Sequence, residues 1–344
     1  MMRVGIIGAG NIGHMHAEAV AACENTLLTG VFDLDRERAQ SLARASGTVA
    51  FASPDELYKA SDGVVVASPN RTHADYAREA VAYGRSVLCE KPMAVSLLQA
   101  ADMRALAAVA PGVCAVGFNY RYLNVIREAR NRIGEGMLGR VVHVDVAFKR
   151  ASALTRQHFT WRDSAAEGHT SGALGDLGVH LIDMLHHLFR SPVDLASCQV
   201  ALRTKVAAKG GHAVEVDDHA FVSGRIEGGP SFTLTASKAS QPEETGFTLA
   251  AMGSRGDLSH DSQDGPVLHL RTGIDWEQVK LLGPSRLDDP RGEVTGWGDS
   301  FLDQLHDWAG AVTASQRSGT LADFEDGYQA QQVLQELLRI GGRM

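Results

Sequence analysis

Apolar positions in the first third of the chain come in short bursts, at 4–7, 27–33, 63–67, 86–89 and 113–118, rich in valine, leucine and isoleucine. Alanine-rich stretches with helical character separate them, at about 12–23, 36–45, 73–82 and 96–109. Brief apolar runs alternating with helices predict βαβ units and a parallel sheet buried on both faces. Right-handed crossovers then wind that sheet into an α/β doubly wound, Rossmann-type fold. After Tyr122 the pattern changes. A helix is predicted at 123–134, a half-buried strand at 141–148 and a helix at 174–189. Alternating runs at 197–204, 219–226, 231–237 and 246–252, separated by Gly, Pro and Asp, predict a mainly antiparallel open sheet. Residues 282–298 are expected to form a loop, and 300–312 and 322–340 closing helices. Two domains follow: a doubly wound α/β domain over 1–122 and an α+β domain over 123–344. The last helix is a candidate to return to the domain junction.

Composition narrows the partners. A chain of 344 residues fits two domains. A net charge of −8 without a basic tract argues against nucleic acid or an anionic membrane as partner. It also tilts the expectation toward a neutral or cationic substrate over a phosphorylated one. No apolar run approaches the roughly 18 residues of a membrane span, and the apolar opening is too short for a signal peptide. Cys23, Cys89, Cys114 and Cys198 form no CxxC pair, which argues against a zinc site or a disulfide framework and for a reducing cytoplasm.

The chemistry begins at Gly8-Ala9-Gly10-Asn11-Ile12-Gly13, a GxGxxG motif that follows a strand and opens a helix. Such a turn brings Gly8, Gly10, Asn11, Ile12 and Gly13 to a pyrophosphate, with free helix N–H groups facing it. Asp33, 20 residues past Gly13, stands where a carboxylate accepts ribose hydroxyls. The same charge repels a 2′-phosphate, so NAD is expected, with NADP the lesser alternative because of Arg36 and Arg38.

Two further stretches fall at carboxyl ends of predicted strands, where open α/β sheets bind ligands. One contains Ser68, Asn70 and His73, the other is Glu90-Lys91-Pro92. A lysine beside a strand end ordinarily serves solvation, but one fixed between Glu and Pro and facing a cofactor crevice is a candidate for chemistry. A proline there can fix a rigid, even cis, turn. In the helix over 174–189, Asp176 and His180 are four apart and share a face. The carboxylate can orient the imidazole, and histidine suits proton transfer near neutral pH. The plainer reading of such a pair is structural. No metal site is expected, since nothing completes a ligand set around Asp183, His186 and His187.

These motifs, in this order and spacing, resemble the Gfo/Idh/MocA oxidoreductases, the glucose–fructose oxidoreductase and inositol dehydrogenase family. The resemblance covers nearly the whole chain. It implies that Lys91 lies between nicotinamide and substrate and hydrogen-bonds the reacting oxygen, that His180 is the proton acceptor or donor, and that Asp176 binds a substrate hydroxyl or supports the histidine. The segment Gly117-Phe118-Asn119-Tyr120-Arg121-Tyr122 is similar to the family's crossing segment, making Asn119 a cofactor and substrate contact and Tyr120 a specificity candidate. Arg162 and Asp163, with Trp161 and Thr170, precede the catalytic helix and are candidates to line the pocket. One departure is Ser171-Gly172-Ala173, where the family often has three glycines. The resemblance implies NAD-dependent oxidation of a secondary hydroxyl of a sugar, cyclitol, amino sugar or aminoglycoside, by a homodimer or homotetramer. A ketosugar reductase using the same residues and a non-catalytic NAD-sensing protein are the alternatives.

Overall fold

The computed structural model describes residues 1–281, 285–287, 294–314 and 318–343. They form two compact units. Met1–Tyr122 and Trp297–Tyr328 belong to the first, and Leu123 onward and Gln329 onward to the second.

In the first unit, strands β1 (Met2–Ile7), β2 (Thr26–Phe32), β3 (Gly63–Val66), β4 (Ser86–Cys89) and β5 (Cys114–Val116) form a parallel sheet in the order β2-β1-β3-β4-β5. Strands β3, β4 and β5 are buried at every residue, as a sheet covered on both faces requires. A single parallel bridge from Val31 to Ala50 marks a rudimentary strand outside β2. Counted with it, the order matches that of dinucleotide-binding sheets. The connecting helices are α1 (Asn11–Ala22), α2 (Arg36–Ala45), α3 (Pro54–Ala60), α4 (His73–Ala82) and α5 (Leu97–Val109). Asp35, Ser53 and Ser96 cap α2, α3 and α5 by accepting N–H bonds from their first turns. The apolar pattern alone misses α3, although Ser53-Pro54-Asp55-Glu56 carries the cap, the N1 proline and the acidic first turn of a helix start.

The second unit contains α6 (Asn124–Gly134), β6 (Val141–Lys149), the short α7 (Ser152–Thr155), α8 (Val179–Phe189) and β7 (Val193–Arg203). A small hairpin of β8 (Ala208–Lys209) and β9 (His212–Ala213) follows, then β10 (His219–Ile226), β11 (Ser231–Ser237), β12 (Gly246–Gly253), β13 (Asp257–Asp261), β14 (Val267–Arg271) and β15 (Trp276–Lys280). Eight of these strands pair in the order β15-β14-β13-β12-β6-β11-β10-β7. All pairs are antiparallel except β6 with β11. Alternating burial along β6 and β11 leaves one face for the core. The run from β13 to β15 escapes the pattern reading because the strands are short and β15 is mostly exposed. No described helix is long and apolar enough to cross a membrane.

The chain closes with α9 (Trp297–Ala314) and α10 (Phe324–Ile340). The expected second domain included both, yet α9 and the start of α10 fold with the first unit. The cause is apolar: Trp308 is fully buried, with its Nε1 donating to the Val113 carbonyl, and it packs where Gly63 has no side chain. Val116 also takes the Ala322 carbonyl at the open edge of β5. Most of the loop expected over 282–298 lies outside the described residues, and Trp297 and Gly298 already belong to α9.

Candidate active site

One group of candidate residues stands at strand ends of the first unit. Gly8 has φ +105°, a left-handed conformation that glycine adopts without strain. A Cβ on Gly13 would collide with the Gly8 carbonyl, so the turn closes only with glycine there. Gly10 is exposed with open space where a Cβ would stand, and α1 begins with no side-chain cap. The first N–H groups of α1, from Asn11, Ile12 and Gly13, are therefore left for a ligand anion. Asp33, just past β2, accepts from the Ala9 N–H at 2.7 Å and the Asp35 N–H at 2.8 Å. Those bonds hold the glycine turn and still leave lone pairs for ribose hydroxyls. This cradle fits a dinucleotide.

The loops after β3 and β4 are tied together by one imidazole. His73 Nε2 bonds the Ser68 carbonyl at 2.8 Å and Nδ1 bonds the Pro92 carbonyl at 2.9 Å. Ser68 Oγ bonds Thr72 Oγ1 at 2.7 Å, and Asn70 opens the short turn between them. His73 is thus a clamp buried behind the site. Lys91 is half-buried, and its peptide bond to Pro92 is cis. Its N–H donates to Glu90 Oε2 at 3.2 Å, while Glu90 Oε1 meets His16 Nε2 at 2.8 Å. Burial alone would raise the Glu90 carboxyl. The hydrogen bond and charge of His16, joined by Lys91, outweigh it and hold the group below the usual range. His16, on the buried side of α1, has no spacing signal in the sequence that links it to Glu90. Asn119 and Tyr120 are buried, and the Asn119 amide nitrogen is committed to Ser300 Oγ on α9 at 2.8 Å.

Another group of candidate residues lies in the second unit. Leu174–Gly178 is wound as a π-helix that runs into α8. The expected α-helix over 174–189 therefore has a wider first turn, a feature frequent at functional sites. Asp176 lies on that turn and His180, buried, on the first turn of α8. Asp176 Oδ2 pairs with Lys238 Nζ at 2.7 Å, and the same ammonium donates to the Ser171 carbonyl at 2.7 Å. The start of the helix is fastened by buried Asp217, which accepts the Ala173 N–H on its carbonyl and the Leu174 N–H on Oδ2, both at 2.8 Å. Its other carboxylate oxygen fills the space where a Gly172 side chain would be. Burial pushes the Asp217 carboxyl up, against the pull of the Leu174 N–H and Lys238. Lys238 and Asp217 are invisible to motif reading because their partners lie far along the chain.

Asp163 lines a small cavity with Arg156, Arg162 and Lys238. It is buried, accepts from Thr160 N–H at 2.9 Å, and pairs with Arg156 at 2.5 Å and Lys209 at 3.0 Å. Buried among cations, its carboxylate fixes the loop. Its neighbour Arg162 is exposed, with its guanidinium 4.2 Å over the Trp161 ring.

The profile of the Gfo/Idh/MocA oxidoreductase family's NAD-binding Rossmann fold matches residues 2–118, and that of its C-terminal alpha/beta domain matches residues 130–339. The chain belongs to this family. Within it, the chain is 38% identical over 336 residues to glucose-6-phosphate 3-dehydrogenase of Bacillus subtilis (strain 168), covering 97% of this chain and 95% of that protein. It is 28% identical to inositol 2-dehydrogenase 2 of Paenarthrobacter aurescens (strain TC1), covering 98% and 95%. The solved structure of levoglucosan dehydrogenase with NADH and levoglucosan has the same fold, with a TM-score of 0.88 at 24% identity over 99% of this chain and 97% of that one. The Gfo/Idh/MocA protein described here is an oxidoreductase with an NAD-binding Rossmann domain.

Proposed function

We propose that this protein oxidises a secondary ring hydroxyl of a sugar, at position three of a hexopyranose, with NAD as acceptor. The full-length likeness to a dehydrogenase named for that position carries the reading. The relatives' names differ in substituent, one a sugar phosphate and the other a cyclitol, so they leave that feature open. NAD, when bound, supplies the hydride acceptor. Lys91 donates a hydrogen bond to the reacting oxygen and stabilises the alkoxide that develops on it. His180 takes the hydroxyl proton. Asp176, paired with Lys238, accepts from a sugar hydroxyl and so sets which carbon faces the acceptor. Arg162 and Tyr120 read the rest of the sugar. Work in the cytoplasm as a homodimer or homotetramer completes this reading, and the four cysteines, none of them in a disulfide, suit a reducing compartment.

The test is NADH formation, followed by absorbance, across hexoses, hexose phosphates, glucosides and inositols. Turnover of a hexopyranose to its 3-keto product is expected, with Lys91→Ala roughly 10²–10³-fold slower, as for loss of one oxyanion donor, and NADH still bound. A panel that stays silent, or a Lys91→Ala variant as fast as the parent, would overturn the assignment. His180→Ala should also lose the acidic limb of the rate profile.

A further inference from the structure

The main chain around Lys91 is held in two different ways. Before it, the backbone belongs to the sheet: the Glu90 N–H donates to the Val66 carbonyl at 2.9 Å, and the Gly117 N–H donates to the Cys89 carbonyl at 2.7 Å. After it, the Pro92 carbonyl is bonded to His73. The Lys91 N–H itself donates to Glu90 Oε2 at 3.2 Å, so the peptide from which its side chain springs is set by a carboxylate and not by a strand. The carboxylate is placed in turn by His16, whose Nε2 bonds Oε1 at 2.8 Å. Glu90 is held below the usual carboxyl range, so it stands as an ion that only accepts, and the ring nitrogen is the donor. Gly117 leaves the room for it, since a Cβ there would lie 2.8 Å from Oε1 and 3.0 Å from Oε2.

Histidine is a costly side chain for that place. His16 is fully buried, its ring stands edge-on to Phe301 of α9 with centroids 5.1 Å apart, and Phe301 meets Trp297 at 4.8 Å. An apolar side chain would serve that contact better. The His16 Nδ1 is buried with no hydrogen-bond partner among the described residues, and a stranded polar atom is unfavourable. The bond to Glu90 is the one polar task the ring performs. Its place on α1 adds a second link. The helical bonds of α1 begin with the His14 N–H on the Gly10 carbonyl, so the N–H groups of Asn11, Ile12 and Gly13 stay open to an anion. His16 rides on the same stiff helix, about 7.5 Å farther along its axis than Asn11. The glycine turn and Glu90 are thus joined by a helix and one hydrogen bond, all within the first unit.

We propose that His16 is a positioning residue for Lys91: it holds the Glu90 carboxylate against the Lys91 N–H and so passes the seating of a dinucleotide's pyrophosphate on α1 to the lysine. The inference rests on the reading of Lys91 as donor to the reacting oxygen, but it can fail separately. An anion on the first N–H groups of α1 fixes the helix, the helix fixes the imidazole, and the imidazole fixes the carboxylate that caps the lysine's peptide. The cofactor therefore readies the lysine, and a sugar that arrives before it meets a lysine on a looser stem.

The experiment compares two amide substitutions in the full chain. In His16→Gln the amide nitrogen falls near the place of Nε2 and can still donate to Glu90. In His16→Asn it reaches only the place of Nδ1, which has no partner. Amide hydrogen exchange at Lys91 is followed by mass spectrometry with and without ADP, which carries a pyrophosphate but no nicotinamide to touch the lysine. ADP is expected to slow that exchange about threefold or more in the parent and in His16→Gln, and to leave it unchanged in His16→Asn. Calorimetric ADP affinity should shift by no more than about the same factor, because coupling is reciprocal. With NAD and glucose, glucose 6-phosphate or myo-inositol as probes, His16→Asn should lower kcat about 10-fold, as a misplaced group does. KM for NAD should stay nearly unchanged, and His16→Gln should recover most of the loss. Gly117→Ala, which crowds the same carboxylate and leaves His16 in place, should copy His16→Asn and serves if that variant does not fold. If ADP leaves Lys91 exchange unchanged in the parent, or if the Asn and Gln variants respond and turn over alike, His16 is only a core residue and the inference falls. If no probe is oxidised, or Lys91→Ala is as fast as the parent, while exchange at Lys91 answers to ADP only through His16, the link stands and the reading of the lysine falls. If exchange and turnover both fail to respond, both fall.

Discussion

Glu90 in the first unit and Asp217 in the second are both buried carboxylates that accept a backbone N–H, and they are pushed in opposite directions. Glu90 is held below its usual range because His16 and Lys91 add cationic partners to the hydrogen bond. Asp217 is raised because burial outweighs a main-chain N–H and a lysine that is already committed to Asp176. Burial is common to both. What differs is whether a formal charge is dedicated to the carboxylate, and that decides if the group stabilises its surroundings as an ion or strains them.

Breaking the first arrangement should have the largest effect. Glu90→Ala removes the partner of His16 and of the Lys91 N–H, and should cost about 3 kcal/mol in denaturant unfolding. That is the low end for a severed buried pair. A loss too small to measure would make the pair ornamental. Gly172→Ala should follow, at about 1–3 kcal/mol, because the methyl must displace the Asp217 carboxyl. Asp217→Ala should cost a similar 1–3 kcal/mol by stranding the Leu174 N–H. It should slow turnover while NADH titrations stay within twofold of the parent. NADH binding that falls in parallel would show that the two regions are not independent.

The smallest effect is the sharpest test, because the two carboxylates have opposite pH signs. Glu90 has a lowered folded pKa, so its contribution is present above the unfolded value of about 4.3 and is lost as pH falls through the folded one. Asp217 has a raised folded pKa, so its contribution is full below the unfolded value of about 3.9 and is lost as pH rises through the folded one. Unfolding curves from pH 3 to 7 should therefore show Asp217→Asn gaining on the parent toward neutrality, and Glu90→Gln gaining on it toward acid. Parallel curves for either variant would refute the corresponding charge state.

The same contrast governs what the sequence reveals. Elements of the first unit are legible because each is local. The glycine turn, Asp33 and the Glu90-Lys91-Pro92 turn are contiguous or follow from strand ends, and buried parallel strands announce themselves as unbroken apolar runs. Asp176 and His180 are legible as a helical pair. What fixes them is not, since Asp217 meets Leu174 and Lys238 meets Asp176 only after the open sheet has formed. Two more positions are held by contacts of the same kind: Lys209, on a hairpin remote in sequence, reaches Asp163, and α9 brings Ser300 to the Asn119 amide.

That return of α9 has a consequence for the order in which the protein is made. All five strands of the cofactor sheet leave the ribosome early, but the sheet then waits. Its slot at Gly63 is empty until Trp308 is synthesised, and the carbonyls of Val113 and Val116 lack the Trp308 and Gln304 donors that lie 195 and 188 residues later. The domain encoded first is thus completed last, at the high loop-closure cost of distant contacts. A nascent chain halted before residue 297 would carry a finished glycine turn on an unfinished core, and a chaperone would meet it as an unfolded cofactor domain.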